Sequence, residues 1–119
     1  MIKILLLVNR KPGLSREDFR RHYETTHAPL AASQLKHLVR YVRNHVTDQF
    51  RTDFECDVVT EFWFDYSGPW REAREALLPQ AMLDLFAEDE AKFMDRASMR
   101  VLVIEQDETP PGQLLGNRR

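Results

Sequence analysis

Four short segments of the chain are rich in apolar residues and are separated by more polar stretches. They cover residues 2–9, 38–46, 58–64 and 100–105. Their length, and the turn-forming residues that bound them, favour strands over helices. The pattern therefore predicts four β-strands.

The stretch after the first predicted strand has the spacing of an amphipathic helix. Ser15 precedes Asp18 by three residues, a capping-box pattern that marks a helix start. Apolar or small residues then recur every three or four positions, as on the core-facing side of a helix, at Phe19, Tyr23, Thr26 and Leu30. Pro29 disfavours a helical conformation of the residue before it, so we expect this helix to end or kink near His27.

A second helical region starts at Trp70, where Pro69 suits the first turn of a helix. Pro79 interrupts this region, and a further helical segment is expected over roughly residues 82–94. The predicted elements follow the order β-α-β and again β-α-β, which is the order of the split ferredoxin-like fold. We therefore predict an α+β protein with a four-stranded antiparallel sheet.

The third and fourth predicted strands are apolar on both faces. Helices on one side of a single sheet leave the other face wet, so apolar residues there need a partner, and a second sheet is the simplest one. We therefore expect a homodimer that forms through the sheet face. A chain of 119 residues builds one modest core and often gains stability by pairing with a copy of itself.

Composition and charge narrow the classes of partner. The net charge is -2, with acids and bases interspersed, which argues against nucleic acid. The first apolar run is far too short to span a bilayer, so no membrane partner is expected. The single cysteine, Cys56, cannot form an internal disulfide, which fits a reducing cytoplasm. We expect one domain over residues 1–106, followed by a flexible, Pro/Gly-rich tail over residues 107–119.

Neither metal nor cofactor is expected from the motifs. The four histidines, at positions 22, 27, 37 and 45, do not have the compact spacing of a metal site. The four glycines are scattered and form no phosphate-binding loop. No serine has the sequence context of a nucleophile elbow.

His27 is the best single candidate for proton transfer. It lies at the edge of the apolar stripe, where its side chain could point into a gap between helix and sheet, and imidazole exchanges protons near neutral pH. The alternative is a structural role in which the imidazole interacts with the last carbonyls of the helix. His22 and Tyr23 flank the same stripe, where packing at the edge of the core is the simpler interpretation.

Tyr41, Arg43 and His45 alternate along the second predicted strand and so share one face. That face could line a pocket with polar tips or belong to a wet edge strand, and the pattern leaves both open. Glu61 lies among apolar residues, either as an acid of raised pKa or, more simply, as half of an ion pair with an arginine. Cys56 has no activating neighbour in the sequence.

Several motifs together resemble the EthD-like family. They are K-x-L-L-L-V-x-R-K-P-G-L-S-x-E-x-F-R-x-H-Y-x-x-x-H-A-P, R-Y-V-x-N-H-V, D-V-V-T-E-F-W-F-D and D-E-A-K-F-M-D, and they extend over most of residues 1–106. The resemblance implies a dimeric α+β barrel, in which two ferredoxin-like protomers place their sheets face to face with helices outside. It also implies a pocket in each protomer between sheet and helices.

Activities in that family diverge. Some members resemble accessory proteins of ether-degrading monooxygenases, others resemble fungal dehydratases or decarboxylases of polyketide anthrones, and a related type is the methylmuconolactone isomerase. The resemblance to the isomerase places its pocket histidine near His27, its pocket tyrosine at Tyr41 and its catalytic cysteine at Phe62, which has no thiol. This mismatch argues against the isomerase reaction. If Phe62 faces the pocket, alternation places Glu61 and Trp63 on the dimer-facing side.

The sequence and the resemblance together favour a cofactor-free acid–base enzyme of dehydratase, cyclase or isomerase type. Its substrate would be a small, mostly apolar carbonyl or phenolic compound, with His27 as acid or base and with Tyr41 and His45 orienting the substrate oxygen. The expected substrate-contacting residues are Phe19, His22, Tyr23 and Phe62. The alternative is a non-catalytic small-molecule-binding accessory protein of an oxygenase or degradation pathway. A pocket in which His27 and Tyr41 reach one oxygen would favour the enzyme, and a wholly apolar pocket would favour the accessory protein.

Overall fold

One four-stranded sheet forms the centre of the computed structural model, which describes residues 1–51 and 53–117. The strands are β1 (Ile2–Val8), β2 (Leu38–His45), β3 (Val58–Phe64) and β4 (Arg100–Ile104). Their order across the sheet is β2-β3-β1-β4, and all neighbouring pairs are antiparallel. This is the topology of the split ferredoxin-like fold, so the predicted α+β class and antiparallel sheet are confirmed.

Helices connect the strands and pack on one face of the sheet. The helical elements are α1 (Arg16–His22), a π-helical turn (Tyr23–His27), α2 (Ala28–Gln34), α3 (Trp70–Leu77), α4 (Gln80–Glu90) and a 3-10 turn (Arg96–Ser98). The Ser15 hydroxyl accepts a hydrogen bond of 3.1 Å from the Asp18 backbone N–H, which confirms the predicted N-cap. The second helical region breaks before Pro79 as predicted, but α4 begins and ends earlier than the expected 82–94 segment.

The sequence predicts that the first helical region ends or kinks near His27; the structure excludes the end, because a π-helical turn over Tyr23–His27 leads directly into α2. Ala28 is helical, with φ -62° and ψ -43°, and its backbone N–H donates to the Tyr23 carbonyl, the longer bond of a π-helical turn. Pro29 lies in the first turn of α2, where its missing N–H costs little. The helix therefore changes its hydrogen bonding at residues 23–27 and continues, which turns His27 toward the core.

Alternation along β1 separates the two faces of the sheet. The even-numbered residues from Ile2 to Val8 are buried beneath the helices, whereas Lys3, Leu5 and Leu7 point to the opposite face. We call this opposite side the open face, because no element of the described chain packs on it as a layer. By strand register, its members are Lys3, Leu5, Leu7, Arg40, Val42, Asn44, Val59, Glu61, Trp63, Arg100, Leu102 and Ile104.

Glu61 and Trp63 lie on the open face, as the alternation predicts, and Phe62 lies on the helix side. Glu61 forms its ion pair with Lys3, at 3.2 Å, rather than with an arginine. It also accepts hydrogen bonds from Asn44 at 2.9 Å and from the Trp63 indole at 3.2 Å. The hydrogen bond from Asn44, followed by the contacts with Lys3, holds the pKa of Glu61 below its ordinary value, which favours the structural interpretation of this carboxylate.

The C-terminal segment contains two short 3-10 turns, Pro111–Gln113 and Leu115–Asn117, and its side chains are exposed from residue 107 to residue 117. Residues 118–119 of the predicted tail lie outside the described residues. In the part of the chain that the structure covers, no helix has the length and apolar character needed to cross a membrane.

Candidate functional site

A buried carboxylate on α4, Asp89, is held between two histidines of the first helical region. His27 Nδ1 lies 2.8 Å from Asp89 Oδ2, and His22 Nε2 lies 3.1 Å from Oδ1. The side chains of Asp89 and His27 are only 8% and 5% exposed, whereas that of His22 is 26% exposed. The π-helical turn places His27 here, because it rotates the residue onto the same inward face as Tyr23.

Hydrogen bonding determines the protonation state of this cluster. Burial raises the pKa of Asp89, but the hydrogen bonds from His27 and His22 outweigh burial and hold that pKa below its ordinary value. Asp89 is therefore a carboxylate that only accepts hydrogen bonds, so neutral His27 carries its proton on Nδ1. Among the described residues nothing hydrogen-bonds to His27 Nε2, which leaves a lone pair available.

Aromatic rings surround the imidazole of His27. The ring centroids of Phe93, Tyr23 and Phe86 lie 5.1, 5.6 and 6.0 Å from it. These neighbours bury the imidazole, whose side chain is 5% exposed, and restrict the orientation of the ring. A buried carboxylate that orients an imidazole through Nδ1 and leaves Nε2 free is the arrangement that makes histidine a proton acceptor.

Tyr41 has a buried hydroxyl without a hydrogen-bond partner in the described part of the chain. Its ring stacks on Phe62, with centroids 4.8 Å apart, and the Arg43 guanidinium lies 4.4 Å from the ring centre. Burial, followed by the nearby Tyr23, raises the pKa of Tyr41 well above its ordinary value. The Tyr41 hydroxyl therefore stays protonated at neutral pH and can donate a hydrogen bond. Its position beside Phe62 makes a ligand oxygen the candidate acceptor.

Tyr23 and Phe19, two of the expected pocket walls, are fully buried in the core. The Tyr23 hydroxyl forms a hydrogen bond of 2.6 Å with Thr60 Oγ1, and burial raises the pKa of Tyr23 to about 12. Phe19 packs edge-on against Tyr23 with a centroid separation of 6.0 Å. Both side chains support the residues around His27, and neither belongs to the wall of the cavity beneath α4, although Phe19 and His45 border a separate surface pocket beside Arg16 and Asp57.

His45 lies on the same strand face as Tyr41 and Arg43, as predicted, but its imidazole is engaged by Glu24. His45 Nε2 lies 2.8 Å from Glu24 Oε2, and Arg43 donates two hydrogen bonds to the same carboxylate at 2.7 and 3.0 Å. The hydrogen bond from Arg43 is the main reason that the pKa of Glu24 is lowered to about 2. Through Arg43, this ion-pair cluster fixes the ring of Tyr41.

An apolar cavity of about 290 Å³ lies between the helix side of the sheet and α4, at the small end of the size range of ligand pockets. Its wall includes Ile4, Leu6, Leu35, Phe62, Phe64, Leu83, Phe86, Glu90, Arg96, Met99 and Val101. Of the seven residues predicted from the sequence, Phe62 is in this wall. Two aromatic rings of the wall contact other candidate residues: Phe86 packs against His27, and Phe62 stacks on Tyr41.

The sequence interpretation did not identify Asp89, the residue that orients His27. A signal was present, because Phe86, Asp89 and Phe93 recur at three- and four-residue spacing, which places a carboxylate in the apolar stripe of a helix. Among the described residues, no group of three or more His, Cys, Asp or Glu side chains is arranged to hold a metal ion.

Comparison with known proteins gives one family and a consistent fold. The model of the EthD domain family matches residues 11–97. A crystal structure described as an ethyl tert-butyl ether (EthD) family protein from Bacillus halodurans has a TM-score of 0.65 at 18% identity, and the match covers 90% of this chain and all of that one. No curated protein matches the sequence.

A protein from Arabidopsis thaliana, At3g17210, gives a second set of structural matches. Its crystal structure, analysed by ensemble refinement, has a TM-score of 0.66 at 14% identity and covers 92% of this chain and 99% of that chain. Its solution structure has a TM-score of 0.60 at 15% identity, with 92% and 90% covered. At these identities the likeness concerns the fold.

Proposed function

This chain belongs to the EthD domain family, and from that membership we propose that it is a cofactor-free enzyme that moves a proton on a small, mostly apolar carbonyl or phenolic compound. The observation that carries the proposal is the 2.8 Å hydrogen bond between His27 Nδ1 and Asp89 Oδ2 beside the aromatic rings that bury the imidazole. A histidine held in this way can accept a proton at Nε2, while Asp89 stabilises the imidazolium that forms.

In the proposed reaction His27 is the acid–base residue and Tyr41 binds the substrate oxygen. The Tyr41 hydroxyl makes no hydrogen bond of ordinary length that would have to break when a substrate binds, and it remains protonated. It can therefore donate to a carbonyl or to the enolate that develops from it. His22 contributes by donating to Asp89. His45 is proposed as a positioning residue that acts through Glu24 and Arg43 on the Tyr41 ring.

The substrate body would occupy the apolar cavity. Phe62 and Phe86 form the part of the wall nearest to Tyr41 and His27, so rotation of these two rings would join the cavity to both polar groups. Side-chain rotations of this kind at a binding site are common when a ligand enters. Phe62 would then be the substrate-contacting wall, with Tyr23 and Phe19 supporting it from behind.

The proposed assembly is a homodimer in which two open faces meet. The open face includes Leu5, Leu7, Val42, Val59 and Trp63, which one chain alone leaves without a covering layer. The Lys3–Glu61 ion pair lies among them and is mostly shielded, with 16% and 19% side-chain exposure, so it can enter an interface as a satisfied pair.

A non-catalytic small-molecule-binding protein is the second candidate. It is favoured by the composition of the cavity wall, which is mostly apolar and does not include His27 or Tyr41. A single experiment distinguishes the two candidate functions, in which a bicyclic ketone such as 2-tetralone is incubated with the protein in deuterated water. Both predict binding in the cavity, but only the enzyme predicts that the protons next to the carbonyl exchange faster than they do without protein, and binding without such acceleration would leave the accessory role.

A further inference from the structure

The cavity between the sheet and α4 has one nearly buried charged side chain in its wall, Glu90. That side chain is 12% exposed, and its Oε1 accepts a hydrogen bond of 3.3 Å from Arg96 Nε. Arg96 is also part of the wall, at the turn that leads into β4, and its side chain is 49% exposed. The remaining polar wall residues, Gln80 and Asp84, are exposed as well and hydrogen-bond to one another at 2.8 Å.

The Glu90–Arg96 pair leaves hydrogen-bonding groups of both kinds unused. No described residue hydrogen-bonds to Glu90 Oε2, and none accepts from the two terminal nitrogens of Arg96. Glu90 is the last residue of α4 and directly follows Asp89, the hydrogen-bond partner of His27.

An acceptor and a donor side by side select among ligand groups. A hydroxyl satisfies both, since it donates to Glu90 and accepts from Arg96. A carboxylate would meet the negative charge of Glu90 at close range, and a purely apolar ligand would desolvate Glu90 Oε2 without offering it a donor. A site built to bind a hydroxyl rejects the analogue that lacks one, because its own polar groups are then left unpaired.

We propose that Glu90 and Arg96 form a specificity site that binds a neutral hydroxyl group on the apolar ligand and excludes carboxylates. This inference rests on the proposed function only in taking the cavity as the place where the ligand binds. The body of the ligand would lie against Phe62 and Phe86, and its hydroxyl would point to the Glu90–Arg96 pair.

The test uses three probes with one body, namely tetralin, 2-tetralol and tetralin-2-carboxylate. Their dissociation constants are measured by NMR titration, with the shifts of cavity residues such as Leu83 and Phe86 locating the site. The native protein should bind 2-tetralol about tenfold more tightly than tetralin, and the carboxylate more weakly than either. Arg96→Met should reduce the preference for 2-tetralol over tetralin to about threefold or less.

Glu90→Gln is the decisive variant, because the proposal predicts that it binds one probe more tightly, a result that misfolding could not produce. Removal of the charge should strengthen binding of tetralin-2-carboxylate about tenfold. Glu88→Gln is the matched control, since it makes the same charge change on an exposed position of α4. Equal gains in both variants would reduce the effect to net charge and overturn the proposal.

Two further outcomes separate this inference from the proposed function. If tetralin and 2-tetralol bind the native protein equally, with shifts at cavity residues, the hydroxyl site is refuted while the ligand cavity stands. If none of the three probes shifts the cavity residues, the cavity is not a ligand site, and both the inference and the proposed placement of the substrate are wrong.

Discussion

Tyr23 and Tyr41 are two interacting buried phenols, of which only Tyr23 has a hydrogen-bond partner among the described residues. The Tyr23 hydroxyl pairs with Thr60 at 2.6 Å, whereas the Tyr41 hydroxyl makes no hydrogen bond of ordinary length and has only a weaker polar contact with the Tyr23 phenol. A buried polar group without a full hydrogen bond costs stability. This difference between the two residues is the observation behind the proposed role of Tyr41 as the donor to a substrate oxygen.

Replacement of each tyrosine by phenylalanine separates these roles. Tyr23→Phe should lower the free energy of unfolding by about 1–3 kcal/mol, because it leaves Thr60 Oγ1 unpaired in the core. Tyr41→Phe should leave stability unchanged or raise it slightly, because it removes a desolvated hydroxyl whose contact with the Tyr23 phenol is weak. Urea denaturation measures both, and a comparable loss in Tyr41→Phe would show that its hydroxyl is satisfied.

Asp89→Asn tests the hydrogen bond that orients His27. An amide cannot accept from His27 and His22 with the strength of a carboxylate, so unfolding free energy should fall by about 1–3 kcal/mol. Nitrogen-15 NMR of the native protein should show His27 protonated on Nδ1 at neutral pH. A tautomer protonated on Nε2 would contradict the account. Glu88→Gln, an exposed change on the same helix, should alter neither property.

The Glu24 cluster should make stability sensitive to acid in a defined range. The pKa of Glu24 is lowered from 4.5 to about 2, mainly by the hydrogen bond from Arg43. A lowered folded-state pKa contributes stability that is present above pH 4.5 and is lost as the pH falls toward 2. The difference in melting temperature between native protein and Glu24→Gln should therefore shrink over this range. The exposed Glu17→Gln serves as control, and a constant difference down to pH 2 would refute the linkage.

Trp63→Glu tests the proposed dimer. Sedimentation of the native protein at micromolar concentration should give twice the 14.1 kDa mass of one chain. A carboxylate at position 63 would bring a further charge between the two open faces, beside those of Lys3 and Arg40, and its desolvation would disfavour association, so the variant should sediment as a monomer. Leu85→Glu, on an exposed position of α4, should remain dimeric. A native monomer, or a dimeric Trp63→Glu variant, would exclude this interface.

The sequence was sufficient for the strands because each one has a distinct local pattern. Alternation in β1 and the run from Val58 to Phe64 follow from which face is buried, and the cap at Ser15 depends only on neighbouring residues. The π-helical turn was missed because Pro29 indicates a helix end locally, whereas tertiary packing of Tyr23 and His27 makes the longer hydrogen-bonded turn favourable.

The candidate site could be predicted only in part, because its partners are distant along the chain. His27 and Tyr41 were found by residue type and position, but Asp89 lies 62 residues beyond His27, and nothing local to either residue pairs them. His45 was assigned to the substrate because Glu24, its actual hydrogen-bond partner, lies on the polar face of the first predicted helix. In both cases the missing information is a tertiary contact between residues that are distant along the chain.

The most direct test of the account measures proton exchange by His27. In deuterated water, His27 Nε2 should take a proton from the carbon next to the carbonyl of 2-tetralone while Tyr41 binds the oxygen. That proton then exchanges with the solvent, and the deuteron that replaces it on Nε2 is transferred back to the carbon. His27→Gln should lower the enzyme-dependent exchange rate by about 10²–10⁴-fold, because an amide cannot transfer protons at neutral pH. His37→Asn, an exposed site whose φ of 65° suits asparagine, should keep the native rate. Equal exchange by the native protein and by His27→Gln would contradict the proposed role of His27.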